Sequence, residues 1–247
     1  MKRFFALVAV VAASAAAVGL VTASAHTQRA SKLHVFRVVL AGENETPAGD
    51  PVATGSATIR LRAGVPKVCY QLVVRDLSGR AVAAHIHHGA RGSAGPVVIP
   101  LHTPNASGQA SGCARASRRL VKAIIAHPRN YYVNVHTSEF AAGAVRAQLA
   151  GTPTVPGKVF RLALQGTSEP NAKGTAVLRL RKGAGVICYR LHAENVTLPT
   201  VAAHIHQGAA GVNGPVVFPF TAPGADGNSS GCAEAQTGLI DAILANP

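Results

Sequence analysis

"GSATIRLRAGVPKVCYQL", Gly55 to Leu72, returns as "GTAVLRLRKGAGVICYRL", Gly174 to Leu191. Each stretch holds two runs of alternating apolar and polar residues around a glycine-containing turn. Side chains alternate faces along a strand, so each stretch reads as a half-buried β-hairpin. The repetition continues outward. "AAHIHHGARGSAGPVV" at Ala83 answers "AAHIHQGAAGVNGPVV" at Ala202, and "SGCARA" at Ser111 answers "SGCAEA" at Ser230. "LVKAIIAHP" at Leu120 answers "LIDAILANP" at Leu239. Upstream, "FRVVLAGENETP" at Phe36 answers "FRLALQGTSEP" at Phe160. The offset is constant from Gly55 onward, with a shorter loop upstream in the second copy, which means one structural unit written twice.

Each copy reads as short strands separated by Gly- and Pro-rich turns, with one short helix. Leu120, Val121, Ile124 and Ile125 share a helical face that Pro128 ends. The expected fold is all-β: tandem antiparallel Greek-key β-sandwich domains, each with one short helix. The domains are expected at 34–149 and 159–247. The linker between them, 150–158, is rich in proline and small residues. "RNYYVNVHTSEFAAGAVRAQL", Arg129 to Leu149, has no counterpart in the second copy. The second domain is therefore expected to lack two strands and to expose an edge and part of its core.

Residues 1–25 read as a secretory signal peptide. Lys2 and Arg3 precede an apolar run, and Ala23 and Ala25 form the small-residue cleavage pattern. No other apolar run is long enough to cross a membrane, so no stable transmembrane helix is expected after cleavage. The location expected is secreted or cell-envelope. Export favours disulfides among Cys69, Cys113, Cys188 and Cys232. Four cysteines allow three pairings, and the repeat selects Cys69–Cys113 and Cys188–Cys232. A zinc site of four thiolates is the other use of such a set, but no C-x-x-C spacing supports it.

The chain carries a formal net charge of +14 and only 10 acidic residues. An exported basic protein with few aromatics is a poor nucleic-acid binder. An anionic cell-envelope polymer or another extracellular protein is the partner expected. No paired carboxylates, GxSxG, P-loop or Rossmann fingerprint suggests an enzyme. "GARGSAG", Gly89 to Gly95, precedes a strand rather than a helix, so it is read as a loop and not a phosphate cradle. Gly89 and Gly95 are expected to be its positive-φ residues.

"LAGENETP", "GSATIRL", "AAHIHHGARGSAGPVVIPL" and "YYVNVHTSEFAAGAVRAQL" together resemble the CHRD domain, described in chordin and in exported bacterial proteins. The resemblance spans one complete and one shortened copy. It implies an extracellular β-sandwich module. The paired histidines are also similar to the H-x-H strand of copper/zinc superoxide dismutase, over that one motif.

Residues two apart on a strand share a face, so His85 and His87 line one side while Ile86 fills the core. His136 can join them if its strand lies alongside. Two readings follow. The favoured one is a non-enzymatic exported module with no cofactor, its histidines fixing structure or lining a binding surface. The alternative is a copper or zinc protein, with ligands drawn from His85, His87 and His136, and from His204 and His206 in the second copy.

Overall fold

A computed structural model of the protein describes residues 32–151 and 157–247. The expected signal peptide and the centre of the expected linker lie outside them. In the first repeat the strands are β1 (Leu33–Ala41), β2 (Thr54–Arg62), β3 (Lys67–Arg75), β4 (Ala81–His88), β5 (Val97–Leu101), β6 (Gln109–Arg115), β7 (Tyr131–Thr137) and β8 (Val145–Gln148). Their spatial order is β5-β4-β7-β8-β1-β2-β3-β6, with antiparallel pairing throughout. β8 and β1 meet at a single residue pair, Ala41 with Arg146. The sheet folds at that joint into two four-stranded layers around one core, the sandwich that the alternation predicts.

The core residues are those the pattern points inward. Ala57, Ile59 and Leu61 from β2 and Val68, Tyr70, Leu72 and Val74 from β3 meet Ile86 from β4 and Val133 and Val135 from β7. Buried tyrosine needs a partner for its hydroxyl, and Tyr70 accepts from the His102 amide at 2.7 Å. The second repeat does the same with Tyr189 and the Thr221 amide. Helix α1 (Arg118–Ala126) starts where Ser117 accepts from the Leu120 amide at 3.1 Å. That bond satisfies one orphan donor of the first turn. Val121 and Ile124 are fully buried beneath the helix.

The second repeat contributes β9 (Lys158–Gln165), β10 (Lys173–Arg181), β11 (Val186–Glu194), β12 (Ala203–His206), β13 (Val216–Phe220), β14 (Asn228–Glu234) and helix α2 (Thr237–Ala245). The layer β14-β11-β10-β9 repeats β6-β3-β2-β1, and β12 with β13 repeats β4 with β5. No described residue takes the place of β7 and β8. Leu162 and Leu164, on the core side of β9, are accordingly 44% and 47% exposed.

Cys69 lies opposite Cys113 across β3 and β6, and Cys188 opposite Cys232 across β11 and β14. Both pairs are disulfide-bonded, and there is no free cysteine. This is the pairing the repeat selects, and it excludes a four-thiolate zinc site.

The repeats also touch through charge, which the sequence does not announce. Arg179 donates to Glu43 at 2.6 Å, and Arg181 pairs with the same carboxylate at 3.0 Å. Arg190 meets Asp50 at 3.0 Å. Arg161 grips Asp76 in a two-pronged contact at 2.6 and 2.7 Å. The arginines stand on the outer face of the β9–β11 sheet, and the carboxylates on loops at one end of the first repeat. Asp50 is fully buried and also accepts from the Val52, Ala53 and Ser78 amides.

Candidate metal centre

Ile86 is fully buried in the core, so His85 and His87 point to the opposite face of β4. β7 lies alongside, with Ala83 opposite His136, His85 opposite Asn134 and His87 opposite Tyr132. Register alone therefore places His136 beside the β4 pair. One ring nitrogen from each of His85, His87 and His136 lies within 4.8 Å of the others. His85 Nδ1 and His136 Nε2 are 3.2 Å apart. Two imidazole nitrogens on one tetrahedral ion, each at ~2.0–2.1 Å, stand ~3.3 Å apart.

Hydrogen bonds fix which nitrogens face inward. A carbonyl oxygen only accepts, so His87 Nδ1–H donates to Gly95 O at 2.8 Å. His136 Nδ1–H donates to Ala141 O at 2.9 Å. Each neutral ring then presents its Nε2 lone pair to the cluster. This is the outer-shell arrangement that orients histidine ligands of metal ions. His87 Nε2 is buried and has no hydrogen-bond partner. Leaving such an acceptor unmade costs about 1–3 kcal/mol. Burial, reinforced by the neighbouring rings, lowers the pKa of His85. Burial also lowers that of His87, partly opposed by the Gly95 carbonyl. Both rings are thereby biased to the neutral form that donates a lone pair.

A polar layer supports the cluster from below. Arg146 of β8 is 1% exposed and donates to Ser93 O at 3.0 Å, Ala90 O at 2.7 Å and Gln148 Oε1 at 3.2 Å. Its guanidinium lies 3.4 Å from the centre of the Tyr132 ring, on which His87 also stacks at 4.7 Å. Gln148 donates to Gly89 O and Arg129 O. Together these contacts pin the 89–95 loop over the histidine face. The loop's glycines differ from expectation: the positive φ belongs to Gly92, not to Gly89 or Gly95. Gly95 is needed for close approach instead, since a Cβ there would lie 1.8 Å from His88 O. Gly89 sits against the Tyr132 ring in the same way, at 3.0 Å.

Glu45 completes the layer. Burial raises its pKa from 4.5 to about 7, opposed by the charge of Arg146 and hydrogen bonding from Asn134. The folded protein therefore keeps a proton that the unfolded chain has already lost between about pH 4.5 and 7. Its stabilisation is full below pH 4.5 and disappears as pH rises through 7. The lowered histidines act in the opposite sense, because the unfolded chain binds their protons first as pH falls through 6.5. Glu45→Gln removes the carboxylate's share. Its melting temperature should exceed that of the unaltered protein by a few degrees at pH 8, and the gap should close at pH 5. A gap that is independent of pH would contradict this.

The second repeat keeps half the arrangement. His206 Nδ1 donates to Gly214 O at 2.8 Å, as His87 does to Gly95. The His204 and His206 rings are 5.7 Å apart and exposed. No third ligand joins them among the described residues. Among the described residues no carboxylate or fourth histidine joins the first cluster, which offers three candidate ligands rather than a dismutase set. His88, which the second copy replaces with Gln207, packs on Tyr131 instead.

Fold and site define a disulfide-braced β-sandwich with a three-histidine cluster on one face of its β4–β7 pair. The CHRD domain family matches at residues 36–149 and 160–246. The chain belongs to that family, as two tandem segments. No curated protein and no solved structure matches it.

Proposed function

We propose that the chain is an exported, non-enzymatic CHRD-domain protein whose first repeat binds one zinc or copper ion. His85 Nδ1, His87 Nε2 and His136 Nε2 are the ligands. The buried, unpartnered lone pair of His87, aimed at two other histidines, carries the reading. Late divalent metals prefer imidazole donors, and three such ligands leave a position for water. The disulfides and the signal-like start support placement outside the cell or in its envelope. The histidines of the second repeat form a structural corner, with His206 tied to its own loop.

Titration of the full oxidised chain with Zn²⁺ or Cu²⁺, followed by calorimetry and metal analysis, tests this. One ion per chain is expected. His136→Ala should weaken binding at least 100-fold, whereas His204→Ala with His206→Ala should leave it unchanged. No binding of either metal, or full affinity in His136→Ala, would remove the proposal.

A further inference from the structure

The outer face of the first repeat's β1-β2-β3-β6 layer repeats the face that the second repeat uses to hold carboxylates. By the repeat offset Arg60 and Arg62 correspond to Arg179 and Arg181, and by the upstream match of Phe36 with Phe160 Arg37 corresponds to Arg161. Those three partners in the second repeat all hold loop carboxylates of the first. The first repeat's face is more basic still. Lys67, Arg75 and Arg115 stand where the second repeat has Val186, Glu194 and Glu234. Register puts these cations on one side of the layer, with Arg60 opposite Cys69 and Lys67 opposite Arg115. Arg37, Lys67, Arg75 and Arg115 are exposed, and Arg60 is half-buried, donating to Gln71. None of the four strands contains an Asp or Glu.

We infer that this face binds a linear carboxylate-bearing polysaccharide, a polyuronate. Carboxylate is the anion that matching arginines already select in the second repeat, with planar two-pronged geometry at Arg161. The array suits an extended polymer better than a compact loop. Its cations recur across four strands, and it lacks the acidic residues that interrupt the second repeat's face. Single-sign fields of this kind concentrate polyanions, with a strong dependence on salt.

The test uses the full chain and polygalacturonate, with dextran as the neutral arm and heparin as the sulfated arm. Binding to polygalacturonate, and not to dextran, is expected. Arg75→Glu with Arg115→Glu should weaken it at least tenfold and flatten its salt dependence. Arg119→Glu with Lys122→Glu makes the same charge change on exposed positions of α1, and should weaken it less than threefold. Unaltered near-UV spectra would verify that both variants fold. Equal loss in the two variants would reduce the effect to net charge and overturn the site. Binding to heparin alone would overturn the carboxylate assignment, and absence of binding would overturn the proposal.

Discussion

Arg146→Leu should destabilise the first repeat by about 3–5 kcal/mol and cut the affinity of the proposed metal site about 10–100-fold. The side chain is buried and its guanidinium donates to Ser93 O and Ala90 O. Leucine fills part of the volume but leaves those carbonyls without their donors. It also removes the positive charge that offsets burial of Glu45, whose pKa should rise further. The effect on metal is indirect. Arg146 holds the 89–95 loop, and Gly95 of that loop orients His87. Arg146→Leu should therefore lose affinity at a temperature where it is still folded. Calorimetric titration below the melting transition separates the two effects. Native affinity in a folded variant would show that the loop does not orient the ligand.

Removing the second disulfide should unfold its repeat, while removing the first should only weaken its own. Both bridges close loops of the same separation, 44 residues. Loop-closure entropy assigns each about 4 kcal/mol. What differs is what remains. The first core includes 21 buried residues, and the second only eight. Domains have stabilities of about 5–15 kcal/mol, so the smaller core has little left once its bridge is gone. Cys188→Ala with Cys232→Ala should abolish slow amide exchange in β10 and β11. Cys69→Ala with Cys113→Ala should lower the melting temperature yet preserve protection in β2 and β3. The reverse pattern would mean that the second repeat draws its stability from elsewhere.

Much of this was legible from residues alone. The repeat yields the two-copy architecture, the bridge pairing and the uncovered side of the second copy. The inward direction of Ile86 fixes the outward direction of His85 and His87. "YYVNVHT" places His136 beside them once β4 and β7 pair. The supporting layer was hidden because Arg146 and Gln148 sit in an alternating strand, where polar residues normally face water. The 89–95 loop and the Tyr132 ring cover Arg146 instead, and Gln148, half-buried, bonds to the Gly89 carbonyl. Glu45 lies in a turn, whose depth periodicity cannot report. The charged joint was hidden for a related reason: Glu43, Asp50 and Asp76 are scattered over separate loops. The glycine error is instructive too, since close approach and positive φ leave the same residue in the sequence.

The joint between the repeats makes their association sensitive to ionic strength. Arg161, Arg179, Arg181 and Arg190 meet Glu43, Asp50 and Asp76 there. Parting them would strip partners from Asp50 and Arg179, both fully buried, and removing one partner from a buried pair is strongly destabilising. Salt screens exposed pairs more than buried ones, so added salt should loosen the joint first at the exposed Arg161 and last at the buried Asp50.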